Sequence, residues 1–124
     1  MARLENCSPT RERTLREGHA AIALWDRYPF NLDHVLLIPH RHIAWWFEAT
    51  AAADRDDMLR PGDDARRIVL ETRSPNGFNL GMKDGAIAGR TTPRLRLDLI
   101  PRHRGDNPGP RGGLRWIHPG RVAY

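Results

Sequence analysis

The chain contains a single cysteine, Cys7, and a single lysine, Lys83. One thiol excludes an intramolecular disulfide and suits a reducing compartment. It also leaves any metal site to histidine and carboxylate. No apolar run approaches the roughly 20 residues needed to cross a bilayer, and the opening "MARLENCSPTRERT" has no apolar signal core. The expected location is therefore cytoplasmic, with no membrane partner.

At 124 residues the chain suits one compact domain, and 40% hydrophobic with 28% charged residues is ordinary for a soluble globular protein. Trp25, Trp45, Trp46 and Trp116 can supply core area. A net charge of +5 points to anionic partners. Almost every cation is arginine, a bias that GC-rich coding produces as readily as function does. Charge by itself therefore selects no partner.

Residues 1–17 read as an Arg-rich, loosely packed arm, and 18–124 as one domain. "AAIALWDRYP" (20–29) and "HVLLIPHRH" (34–42) read as strands, the second buried on both faces by its continuous apolar stretch. Residues 43–58 have alanine-rich helical composition, and Pro61-Gly62 is expected to break that helix. A second helical pattern, 63–73, has Asp63 and Asp64 at its start, where acids suit a helix N-terminus. "SPNG" (74–77) is a turn, "FNLGMK" (78–83) a strand and "DGAIAGR" (84–90) a glycine-punctuated loop. A strand follows from about Pro93 to Ile100. The Gly- and Pro-rich tail is irregular, apart from a short strand at Leu114–Ile117. This order implies an α+β fold with an antiparallel sheet.

In "RLRLDLI" (94–100), Arg94, Arg96 and Asp98 alternate with Leu95, Leu97 and Leu99. A strand sends alternate side chains to opposite faces, so two cations and an acid share the face that the leucines avoid.

Three blocks resemble the histidine triad (HIT) family: "ALWDRYPFNLDHVLLIPHRH", "NGFNLGMKDGAIAGRTTP" and "LRLDLIPRHRGD". The tail "PRGGLRWIHP" is similar to that of bacterial members. The resemblance implies a HIT-like sheet of about five strands with one main helix, paired as a homodimer. It also implies binding of nucleoside phosphates and cleavage of nucleotidyl bonds through a covalent nucleotidyl-histidine.

The triad itself departs from the family. Its motif alternates three histidines with apolar residues, and here those positions hold Arg94, Arg96 and Asp98. Arg96 stands where the nucleophile would be. A guanidinium offers donors only and has no lone pair for phosphorus, which closes the covalent route. Lys83 and Arg90 replace an Asn and a Gln of the family pattern. Asp26 matches a ribose-contacting acid, His34 a supporting histidine and Thr91 a phosphate-contacting Ser or Thr. A zinc site of some relatives is not matched, because Thr10 and Arg94 replace ligands, and "PHRH" offers only His40 and His42. No metal or cofactor is expected.

The expected pocket gathers Lys83, Arg90, Arg94 and Arg96, offset in part by Asp26 and Asp98. One reading is a protein that binds a phosphate-bearing or nucleotide-like anion through Asp26, Lys83, Arg90, Thr91, Arg94 and Arg96. A second is a repurposed, non-hydrolytic enzyme in which Asp98, backed by His34, is the acid/base and Arg96 stabilises negative charge. A third is a non-enzymatic interaction module. Asp98 also admits a plainer role as an ion-pair partner of Arg96. The basic arm reads as solvated rather than nucleic-acid-binding, since no aromatic platform accompanies it. Trp45 and Trp46 read as packing residues more readily than as base-stacking ones.

Overall fold

The computed structural model describes residues 13–26, 33–48, 52–109, 117, 118 and 120. Five strands, β1 (Thr14–Glu17), β2 (Ala21–Trp25), β3 (Val35–Pro39), β4 (Gly77–Met82) and β5 (Leu97–Arg102), form one sheet. Their order is β1-β2-β3-β5-β4, and every pairing is antiparallel. One long helix, α1 (Ala52–Arg73), covers a single face.

Alternation along the strands gives the sheet two different faces. On one, Ala21, Ala23, Val35, Leu37, Leu97 and Leu99 pack against Met58, Ala65 and Val69 of α1. Met58, Pro61, Ala65 and Val69 recur at steps of three and four, the spacing of one helical stripe. On the other face Ile22, Leu24, Leu36 and Ile38 form a separate buried cluster. With both faces buried, β2 and β3 show the continuous apolar sequence of central strands.

Several elements differ from the sequence-based expectation. The last residues of the segment read as an arm form β1, an edge strand paired with β2 through an irregular register. The helix does not break at Pro61-Gly62 but runs through both residues. The Pro61 ring is buried, and a Cβ at Gly18 would come within 3.1 Å of it. At Gly62 a Cβ would meet Leu37 at 3.1 Å, so the helix and β3 approach closely there. Tertiary contact thus outweighs the local cost of an interior proline. Residues 46–48 form a short 3-10 turn that precedes α1 rather than belonging to it. The helix ends at Arg73, and Ser74 takes the left-handed conformation (φ 51°) that closes many helices. The final strand starts at Leu97, later than expected, which leaves Arg94 and Arg96 ahead of it. The strand expected at Leu114–Ile117 falls at 114–116 outside the described residues.

Candidate functional site

The polar side chains of interest stand on the face away from α1, and the strand register arranges them in rows. Asp26 follows β2, and its N–H donates to the carbonyl of His34 at 2.9 Å. Leu24 pairs with Leu36, Leu36 with Asp98, and Asp98 with Gly81. One step further along, Met82 pairs with Leu97, the last pair of the ladder, and Lys83 and Arg96 are the next residues beyond it on either side. Successive rows on one face lie roughly 7 Å apart.

A groove of about 700 Å³ opens over these rows. Asp26, His34, Gly81, Lys83, Arg90, Thr91, Arg96 and Asp98 all line it. The alternation in "RLRLDLI" explains this placement. Leu95, Leu97 and Leu99 are buried, while Arg96, Asp98, Ile100 and Arg102 face the groove.

Among the described residues His34 is the one buried charged or polar residue, 4% exposed. Its Nε2 lies 2.9 Å from the Asp98 carboxylate, and its Nδ1 lies 3.4 Å from that of Asp26. The imidazole therefore joins two acids that both reach the groove. Asp98 does not pair with Arg96, contrary to the ion-pair reading, although the two share a face two residues apart. The nearer partner is the imidazole across the sheet. Among the described residues neither Arg96 nor Lys83 has an ion-pair or side-chain hydrogen-bond partner.

Arg90 is held differently. It donates to the Ala44 carbonyl, and its guanidinium stacks 5.8 Å from the centre of the Trp45 ring. Trp45 packs in turn on Gly85, whose φ of +105° favours glycine and where a Cβ would come within 2.7 Å of the indole. The Trp46 N–H donates to the Asp84 carboxylate at 3.0 Å. Loop 84–90 is thereby fixed to the segment before α1. Lys83 runs beside Gly89, with its Cδ 3.5 Å from where a Cβ would sit.

Arg94 does not join the cluster expected of it. It precedes β5, and the Leu95 N–H donates to the Ile43 carbonyl at 2.8 Å. That contact directs Arg94 to the His40 carbonyl, 3.3 Å away, and out of the groove lining. His40 is engaged within the protein. Its Nε2 lies 3.1 Å from the Gly18 carbonyl and 3.4 Å from Glu17. Among the described residues no three His, Cys, Asp or Glu side chains converge as a metal site.

Sequence reasoning missed Arg102, which continues the alternation of 96, 98 and 100 into the groove wall. It donates to Asp106 at 2.7 and 2.9 Å and to Asn79 at 2.7 Å. The Arg102 bonds, with the His103 N–H, hold the Asp106 carboxyl well below the usual carboxylate range, and Asp106 in turn raises Arg102. Its charge is met within the protein, and it fixes the loop carrying Asn107 and Gly109 as one wall.

Comparison with known proteins agrees with this architecture. The HIT domain model matches residues 10–105. An AP-4-A phosphorylase of Mycobacterium tuberculosis is 27% identical over 90 residues, which is 72% of this chain and 46% of that protein. An uncharacterised HIT-like protein of Mycoplasma genitalium is 32% identical over 90 residues, 70% of this chain and 61% of its own length. The chain thus spans about half to three fifths of these relatives. The crystal structure of a HIT family protein from Bacillus anthracis superposes with a TM-score of 0.67 at 26% identity, covering 73% of this chain and 64% of that one. The sheet, the groove on its helix-free face and these matches agree: the chain belongs to the HIT domain family.

Proposed function

We propose that the groove binds a phosphate-bearing, nucleotide-like anion and does so without forming a nucleotidyl-histidine. The observation that carries this reading is that Lys83 and Arg96, the residues just beyond the last β4–β5 pair, both line the groove and have no ion-pair partner among the described residues. Two neighbouring cations left open to a concavity repel each other, and an anion relieves that repulsion. Arg90 and Thr91, which also line the groove, would extend the donor surface, and Asp26 would accept from a hydroxyl of the ligand. The relative described as an AP-4-A phosphorylase supports a nucleotide-like occupant. The absence of covalent chemistry follows from Arg96, which stands at the nucleophile position of the family motif and has no lone pair to offer phosphorus.

The homodimer is also a proposal. Strand β4 is a sheet edge, with Leu80 61% exposed on it, and an unprotected edge invites pairing with a second chain. A cytoplasmic location is proposed from the lone thiol.

Calorimetric titration with ADP and with inorganic phosphate tests the binding. Arg96→Gln and Lys83→Gln are each expected to weaken ADP about tenfold, the worth of one lost charge-assisted contact. No heat from either ligand would end the proposal. A mass increase of one nucleotidyl group after incubation with diadenosine tetraphosphate would end its non-covalent part.

A further inference from the structure

The groove is electrically two-ended. Lys83 and Arg96 line it just beyond the last β4–β5 pair, Met82–Leu97. One row on, at a step of roughly 7 Å, the Asp98 carboxylate faces the same space beside Gly81. A further row brings Asp26 and His34, which also line the groove. Pure anion capture gives no reason for an acid next to the cations, since a carboxylate repels the anion they attract.

Three features mark Asp98 as a built acceptor rather than an idle one. First, His34 holds it through a 2.9 Å contact from a ring that is only 4% exposed, and that ring is itself flanked by Asp26. The carboxylate cannot swing out to solvent without losing a buried partner. Second, Asp98 makes no contact ion pair with the nearby Arg96, so each charged group keeps free capacity toward the groove. One Asp98 oxygen meets the imidazole, and the carboxylate as a whole stays 28% exposed toward the groove. Third, its neighbour across the ladder is Gly81, where even a Cβ would meet nothing within 4 Å. Space for a ligand group is therefore left directly beside the carboxylate.

We infer that the groove selects a phosphate ester carrying an ammonium group, with the phosphate on Lys83 and Arg96 and the ammonium on Asp98. The inference rests on the phosphate-binding reading above and adds the second half of the ligand. An ammonium is the small group that matches a fixed carboxylate in both charge and donor capacity. A hydroxyl matches only in donor capacity, and an alkyl group in neither. The preference is therefore graded, ammonium over hydroxyl over alkyl. His34 and Asp26 act as positioning residues for Asp98 and need not touch the ligand.

The test is a calorimetric ladder at neutral pH on the full chain with ethyl phosphate, 2-hydroxyethyl phosphate and 2-aminoethyl phosphate, beside inorganic phosphate. The expected result is that 2-aminoethyl phosphate binds at least tenfold tighter than ethyl phosphate, with the hydroxyl compound between them. In Asp98→Asn, which keeps the shape and can still hydrogen-bond His34, the ammonium advantage should shrink to about twofold, with ethyl phosphate binding more tightly than to wild type because the repelling charge is gone. Equal affinity of wild type for the three esters overturns the inference and leaves phosphate binding standing. Full retention of the ammonium advantage in Asp98→Asn overturns the role of Asp98. Failure of all four compounds, inorganic phosphate included, overturns the phosphate site itself. The wild-type ladder decides the matter even if the variant does not fold.

Discussion

His34 and Asp98 are bonded across the sheet at 2.9 Å, 64 residues apart in sequence, while Arg96, two positions from Asp98, is passed over. The choice is one of burial. The imidazole is held inside the sheet, between Asp98 and Asp26, where each ring nitrogen needs a partner. The guanidinium of Arg96 reaches the groove and has water or a ligand available. His34→Ala removes the ring between two acids and leaves a void at the start of β3. A destabilisation of about 2–3 kcal/mol is expected, since lost packing adds to unmet carboxylates that water reaches only in part. Urea denaturation measures it. A loss under 0.5 kcal/mol would show that solvent replaces the imidazole freely.

The Arg102–Asp106 pair makes a pH prediction with a definite sign. The folded carboxyl of Asp106 titrates lower than an unfolded one because Arg102 and the His103 N–H bind its charged form. A depressed pKa contributes stability above the unfolded value, about 3.9, and loses it as pH falls toward the folded value. The stability difference between wild type and Asp106→Asn should therefore be constant from pH 7 to 5 and shrink steadily below pH 4. Denaturation at a series of pH values reads this. A difference that grows on acidification contradicts the assigned cause.

Pro61 sits inside α1, at a cost of about 3 kcal/mol relative to alanine in an isolated helix. Its ring is buried near Gly18, and the two carbons lost in Pro61→Ala, Cγ and Cδ, return most of that cost as lost packing, about 0.8 kcal/mol per carbon plus a cavity term. The variant is expected to lie between neutral and about 1 kcal/mol more stable than wild type. Destabilisation beyond 1 kcal/mol by thermal or urea unfolding would show that the ring packing dominates.

The same residue shows where sequence reading stops. A proline-glycine pair is a local signal, and locally it says that a helix ends. Nothing local reveals that Leu37 and Gly18 lie close enough to hold the helix through it. The alternation of Arg96, Asp98 and the leucines was legible because a period of two is local, and it placed the groove face correctly. Arg102 was legible by the same rule and was missed only because the strand was ended too early, at Ile100. Arg94 failed for the opposite reason, since the strand was begun too soon. Its direction is set by a bond between Leu95 and Ile43, a contact 52 residues apart that no pattern announces. The resemblance supplied the importance of His34, and the acid/base reading already set it behind Asp98; the competing ion pair with Arg96 is the reading that the 2.9 Å His34 contact displaces.

Gly81 separates the groove from the sheet that carries it. Its backbone is ordinary strand, so nothing there requires glycine for conformation, and a Cβ would meet no atom within 4 Å. A β-branched side chain should suit the strand at least as well as glycine does. The same side chain would project on the face that bears Asp98, filling the space beside the carboxylate. Gly81→Val is therefore expected to keep or raise the melting temperature while weakening ADP at least tenfold. Gly77→Val, at the far end of the same strand where a Cβ also meets nothing, serves as the control and should bind ADP as wild type does. Melting and titration on the two variants separate fold from site. If Gly81→Val binds ADP unchanged, the occupant does not lie over the Asp98 row, and the groove is entered from elsewhere.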